Sequence, residues 1–437
     1  MDTLISNVTA VTMNTRMEVL FGAYIGITEG KISYIGKTAP KEMPATIIDG
    51  TGMVAMPGLI NCHTHLATTV LRSCFDDLSS REALENLLQK ESKMDSRCAK
   101  AAATLGIAEC LRFGITSVSD LYYFPEAVAE AAAEAGIKAN IALSCVRFED
   151  ENEEYDFGAD PHYKTLTELV RKWNGHDNGR IRMDGGIYAE YTSNHPLWEG
   201  LSACCAEQKL GLQLHLAQTA EEVDSCLDRT GLTPAQLLDC HGIFGRGVTA
   251  AGCGALTEED MALLGKKKVS AVALPLENAK AGQPSLPIAR AVKAGINVAL
   301  GTGGAVECGN LDLFEVMRAA AFGERCRSEK SEAMPAPALL TMATVCGAWA
   351  QGRQDCGMLE ENMDADIILV DFSAPHLMPC HNVLSGLVFS AKGGDVAMTM
   401  VRGKVLYQNG LFPTLDLKKA VEELTQYAIP TLFAPAQ

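Results

Sequence analysis

From about residue 55 to 350 the chain repeats one unit, a short unbroken apolar run followed by a helical segment. Apolar runs without polar alternation read as strands buried on both faces. Joining such strands through helices requires them to lie parallel. Helix DSRCAKAAATLGIAECLRF, with Asp95 as N-cap and Gly114 as its stop, leads to ITSVSDL. Helix PEAVAEAAAEAG opens on Pro125, stops at Gly136 and leads to KANIALSCV. YKTLTELVRKW precedes IRMDGGIYAEY, PLWEGLSACCAEQKLG precedes LQLHLAQ, and TPAQLLDC precedes GVTAAGC. TEEDMALLG precedes VSAVALP, and LPIARAVKAG precedes INVALGTGG. With the strand that opens the series before Asn61, eight strands alternate with helices. The pattern predicts an α/β fold, a TIM-like (β/α)8 barrel, over residues 56–360.

The two ends differ from the middle. Residues 1–55 and 361–412 are rich in short alternating strands, including a hairpin about Glu29-Gly30 and another about Arg402-Gly403-Lys404. A helix, LKKAVEELTQYA, is predicted within the tail 413–437.

Composition excludes several functions. The 437 residues are 47% hydrophobic and 21% charged, enough for a large core. No run reaches the ~18 apolar residues of a membrane helix. The start, MDTLISNVTAVTMNT, lacks the basic and apolar regions of a signal peptide. A net charge of −17 repels phosphate backbones and anionic lipid, so no nucleic acid and no membrane is expected as partner. The 15 cysteines include no C-x-x-C pair and read as buried thiols in a reducing compartment.

In a barrel of this kind chemistry sits just past the strand ends. His63 and His65, in INCHTHL, lie two apart at the end of the first barrel strand, so both point to one face. His215 ends the fifth run, LQLHL. Three convergent imidazoles form a metal site, and zinc (Zn2+) is the ion such a set suits. Glu190, past the fourth strand, and Glu307, past the eighth, are the carboxylates placed to serve as a base.

The segments MPGLINCHTHL, LHLAQTAEEV, AGINVALGTGGA and PCHNVLSGLVFSAKGGDVAMTMVRGKVL together resemble the amidohydrolase superfamily. The closest likeness is to its aminohydrolases of adenosine-like, guanine and triazine compounds, and it covers nearly the whole chain. The resemblance implies that the two β-rich ends join as a small β-sandwich beside the barrel. It implies a cytoplasmic, often oligomeric enzyme that replaces a ring amino group with oxygen, a deaminase-like hydrolase of a C–N bond in a small heterocycle. His63, His65 and His215 match the family's metal-ligand positions. The family's glutamate three residues on is Gln218 here, its sixth-strand histidine is Gly252, and its eighth-strand aspartate is Gly303. A substrate-contacting histidine near strand four is replaced by Tyr188. Arg72 and Asp76-Asp77 fall where the family has a loop over the pocket, so Tyr188, Gln218 and Arg72 are expected to meet the substrate.

Glutamine cannot take up and release a proton near neutral pH, so Gln218 is excluded as acid/base. Glycine at 303 removes a ligand and an anionic charge together. Two readings follow. One is a hydrolase with an atypical, reduced metal site on His63, His65 and His215. The other is a catalytically inactive relative whose site, with or without a metal, binds a small ligand or a partner subunit. Apolar helix faces outside the barrel would permit a homodimer.

Overall fold

The alternating N-terminal segments form β1 (Thr3–Val11), β2 (Val19–Thr28), β3 (Lys31–Gly36), β4 (Thr46–Asp49) and β5 (Met53–Pro57). These come from a computed structural model that describes residues 1–78, 80–149 and 154–434. The apolar runs then give β6 (Leu59–Thr64), β7 (Ile115–Tyr122), β8 (Lys138–Leu143), β9 (Ile181–Ile187), β10 (Leu212–Leu216), β11 (Val248–Gly252), β12 (Ser270–Ala273) and β13 (Asn297–Leu300). These eight lie side by side in chain order, each parallel to the next. The residues that follow the last strand bond back to the first. Gly303 N–H donates to the His63 carbonyl at 3.1 Å. Asn61 Nδ2 donates to Thr302 Oγ1 at 2.8 Å, and Thr302 N–H donates back to Asn61 Oδ1 at 3.1 Å. This is the expected parallel barrel.

Helix boundaries follow local chemistry. Asp95 accepts the N–H of Cys98 at 2.8 Å and starts helix Ser96–Arg112. Helix Pro125–Ala135 opens on proline and ends at Gly136 in the left-handed region.

After the barrel, β14 (Ile367–Asp371), β15 (Val396–Val401) and β16 (Lys404–Gln408) return to the first sheet, where β14 pairs antiparallel with β5. The order is β16-β15-β14-β5-β1-β2-β3, with β4 beside β1. Ile5, Val8, Ile25, Ile32, Ile367 and Met398 fill a core of its own, so both chain ends build one sandwich-like unit. Lys138, at the start of β8 and fully buried, reaches from the barrel to Asp364 (2.9 Å) and Asp366 (2.6 Å) beside β14. The chain closes with helices Leu417–Glu423 and Ile429–Phe433 around a wider turn, packed on helix Ser96–Arg112 through Leu424, Ala428 and Leu432. Residues 435–437 of the expected tail lie outside the described residues. Among the described residues no helix is long and apolar enough to cross a membrane.

Candidate active site

The alternation of β6 turns His63 inward, and the next inward position, His65, stands one residue past the strand. His215 comes from β10 across the ring. One ring nitrogen from each of the three lies within 4.8 Å of the other two. His63 Nε2 and His215 Nε2 are 2.9 Å apart. His65 Nδ1 bonds the Leu121 carbonyl at 2.7 Å, and His215 Nδ1 bonds the Tyr188 carbonyl at 2.7 Å. A carbonyl only accepts, so both Nδ1 atoms carry the proton and both Nε2 atoms present a lone pair. That is the tautomer a metal ligand needs. Burial, then the neighbouring His215 and His65, hold His63 well below the usual histidine pKa. Burial brings His215 down to about 3. The pair is therefore neutral, and the three buried imidazoles fit a zinc ion in donor type and number.

Asp120, at the end of β7, fixes the entry to this cluster. Its Oδ2 accepts the N–H of Leu66, next to His65, at 2.7 Å. Burial pushes its carboxyl up to about 6.

A narrow cavity of about 20 Å3 opens beside His65. Tyr188 and Glu307 line it from the barrel, and Leu84, Leu87, Leu88 and Glu91 of helix Ser80–Glu91 cover it. The Tyr188 ring lies 4.8 Å from that of His215, and burial raises its hydroxyl well above the usual range. Two of the residues expected at the mouth are engaged elsewhere. Glu190 is buried and accepts from Arg229 at 2.6 Å. The Arg72 guanidinium binds Glu109 and the Gly309 carbonyl. Neither lines the cavity, and each is held by an oppositely charged partner.

The altered glycines are not voids. Gly252, at φ +89°, ends β11, and a Cβ there would come within 2.7 Å of Gln218 Cγ. Gln218 thus occupies the room a side chain at 252 would need. Gly303, at φ +68°, faces Glu277, and a Cβ at 303 would collide with Glu277 Oε2. A Cβ on Gly304 would collide with Glu307 Oε2 in the same way. Glu277, in helix Pro275–Lys280 just past β12, is the site residue that the sequence reading does not single out. Its position right after the seventh apolar run was the available signal. Burial, then the charge of Glu307, pushes Glu277 up to about 8, and burial pushes Glu307 up to about 7.

Comparison with known proteins agrees with this geometry. The chain is 35% identical over 429 residues to 5'-deoxyadenosine deaminase of Methanosarcina mazei, covering 98% of each chain. It is 34% identical to 5-methylthioadenosine/S-adenosylhomocysteine deaminase of Pelotomaculum thermopropionicum, again over 98% of each. Among solved structures, an adenosine deaminase from Xanthomonas campestris with bound zinc superposes with a TM-score of 0.92 at 28% identity, covering 98% of both chains. The sequence model of the amidohydrolase family matches residues 54–406, from β5 into β16. A parallel barrel with histidines from its first and fifth strands, flanked by a sheet from both chain ends, is thus explained by descent: the chain belongs to the amidohydrolase family.

Proposed function

We propose that the protein is a hydrolase that removes the exocyclic amino group of a 6-aminopurine nucleoside of the 5'-deoxyadenosine or 5-methylthioadenosine kind. The observation that carries this reading is the three-histidine cluster at the carboxyl-terminal mouth of the barrel, in which His65 and His215 are pinned through Nδ1 to backbone carbonyls. The activities named for the relatives supply the substrate class. His63, His65 and His215 would hold a zinc ion, which when bound supplies Lewis acidity and lowers the pKa of water toward about 7. The protein's own groups do the rest. Tyr188 offers a hydroxyl beside His215, suited to orienting the purine. The Gln218 amide both donates and accepts, so it suits recognition of a heterocycle edge and not proton transfer. Glu307, at the cavity wall, is placed to hold a proton. Arg72, tied to Glu109 and Gly309, steadies the loop that follows the eighth strand. With glycine at 303, the metal is held more weakly than by a set that includes a strand-eight carboxylate.

A second reading, ligand binding without turnover, is favoured by Gln218, which can hydrogen-bond a ligand but cannot shuttle a proton. One experiment separates the two. Zinc content is measured on protein purified without chelator, and ammonia release is followed with adenosine, 5'-deoxyadenosine and 5-methylthioadenosine. The proposal expects stoichiometric zinc and ammonia from at least one nucleoside, both lost in His215→Ala. Zinc-loaded protein that binds these nucleosides and releases no ammonia establishes the second reading.

A further inference from the structure

Hydrolysis of an amino group needs a residue that takes a proton and gives it back. Gln218 cannot do this, and the eighth strand offers glycine at 303 and 304. The carboxylates near the histidines differ in what they already hold. Glu91 accepts the Tyr122 hydroxyl at 2.5 Å, Asp120 accepts Leu66 N–H, and Glu190 accepts Arg229. Glu222 accepts the N–H groups of Ala217 and Gln218 at 2.9 and 2.8 Å. Asp120 Oδ1, Glu190 Oε2, Glu277 Oε2 and Glu307 Oε2 are all buried without a hydrogen-bond partner, but only those of Glu277 and Glu307 lie over the two strand-end glycines. A buried carboxylate oxygen without a partner is costly in a folded protein, which points to a partner acquired in function. Gly303 N–H also bonds the carbonyl of His63, so the glycine under the Glu277 carboxyl is tied directly to a residue of the histidine cluster.

We propose that Glu277, with Glu307 beside it, is the working carboxylate of the three-histidine centre, standing in the volume a side chain at 303 would otherwise fill. This rests on the deaminase reading above. Glu277 takes a proton as the water oxygen bonds the ring carbon that bears the amino group. The carbon–nitrogen bond then breaks. One water proton ends on the adjacent ring nitrogen and the other leaves with ammonia, so no further reactant is needed. In its ionised form Glu277 also brings a negative charge toward the three imidazoles and so strengthens their hold on a divalent cation. Because a Cβ at 303 and the Glu277 carboxylate exclude each other, the two positions are alternatives.

The test uses the full chain loaded with zinc, with Glu277→Gln, Glu307→Gln, Glu277→Ala and the double variant Glu277→Ala/Gly303→Asp, each checked for native circular dichroism. Glu277→Gln is expected to lower kcat at least about 100-fold while KM stays within about threefold. It is also expected to lose zinc to a competing chelator about tenfold more readily. The double variant is expected to recover both properties relative to Glu277→Ala, since the carboxylate returns from the opposite side. Glu307→Gln is expected to shift the pH profile of kcat with a smaller loss of rate. A kcat in Glu277→Gln within about threefold of wild type overturns the proposal. If the wild-type zinc protein releases no ammonia, the deaminase reading fails. Zinc retention then decides for Glu277 by itself: retention unchanged in Glu277→Gln overturns its place in the centre, and weakened retention restored in the double variant sustains it.

Discussion

At the residue scale the site depends on which side chains are satisfied. His65 and His215 donate from Nδ1 to the carbonyls of Leu121 and Tyr188, which turns their Nε2 lone pairs toward a cation. Glu277 and Glu307 are raised from an ordinary 4.5 to about 8 and about 7 by burial, with Glu307's charge adding to the Glu277 shift. In the metal-free protein the folded state therefore holds these protons more tightly than the unfolded chain does. Their contribution to stability is complete below about pH 4.5 and is lost as pH rises through 7 and 8. The urea midpoint of metal-free protein is expected to fall between pH 5 and 8.5, and Glu277→Gln is expected to flatten that fall. Equal slopes in the two proteins would contradict this assignment. His63, His65 and His215 were legible because each ends an apolar run whose period orients it. Glu277 was not, because only the tertiary fold lays its carboxyl over Gly303, 26 residues later in the chain (303 − 277).

At the scale of elements the barrel strands were readable because both of their faces are buried, which leaves a continuous apolar signature. Helix Ser80–Glu91 was not readable in this way. Its leucines line a cavity, Leu84 and Leu88 remain 44% and 51% exposed, and Leu87 packs against a core as well. This helix has a consequence for function. A cavity of about 20 Å3 holds roughly one water, whereas small-molecule pockets measure about 300 Å3 or more. A nucleoside can reach His65 only if Leu84, Leu87 and Leu88 move. Hydrogen exchange of amides in Ser80–Glu91 is therefore expected to change on binding 5'-deoxyadenosine, while that of β6 and β10 stays slow. Unchanged exchange in the helix under saturating ligand would show that the substrate enters elsewhere.

Across the whole molecule the barrel and the sandwich-like sheet are joined by a charged contact as well as by apolar packing. Lys138 is fully buried, and its ammonium meets Asp364 and Asp366, with Arg402 and Lys31 also on Asp364. Removing one partner of a buried ion pair leaves the other uncompensated. Lys138→Met is expected to cost about 3–5 kcal/mol in urea unfolding; a loss below about 1 kcal/mol would show that the contact is not what couples the two units. The two β-rich ends were legible as strands, but their union came from resemblance, because pairing between β5 and β14 spans more than three hundred residues and leaves no local trace.

The proposed zinc centre draws on three imidazoles in a chain that also carries 15 thiols. X-ray absorption at the zinc edge, on stoichiometrically loaded protein, tests this most directly. The predicted spectrum has imidazole nitrogens at about 2.0–2.1 Å and no sulfur shell, and it is lost in His215→Ala. A sulfur shell at about 2.3 Å, or an unchanged spectrum in His215→Ala, would contradict it.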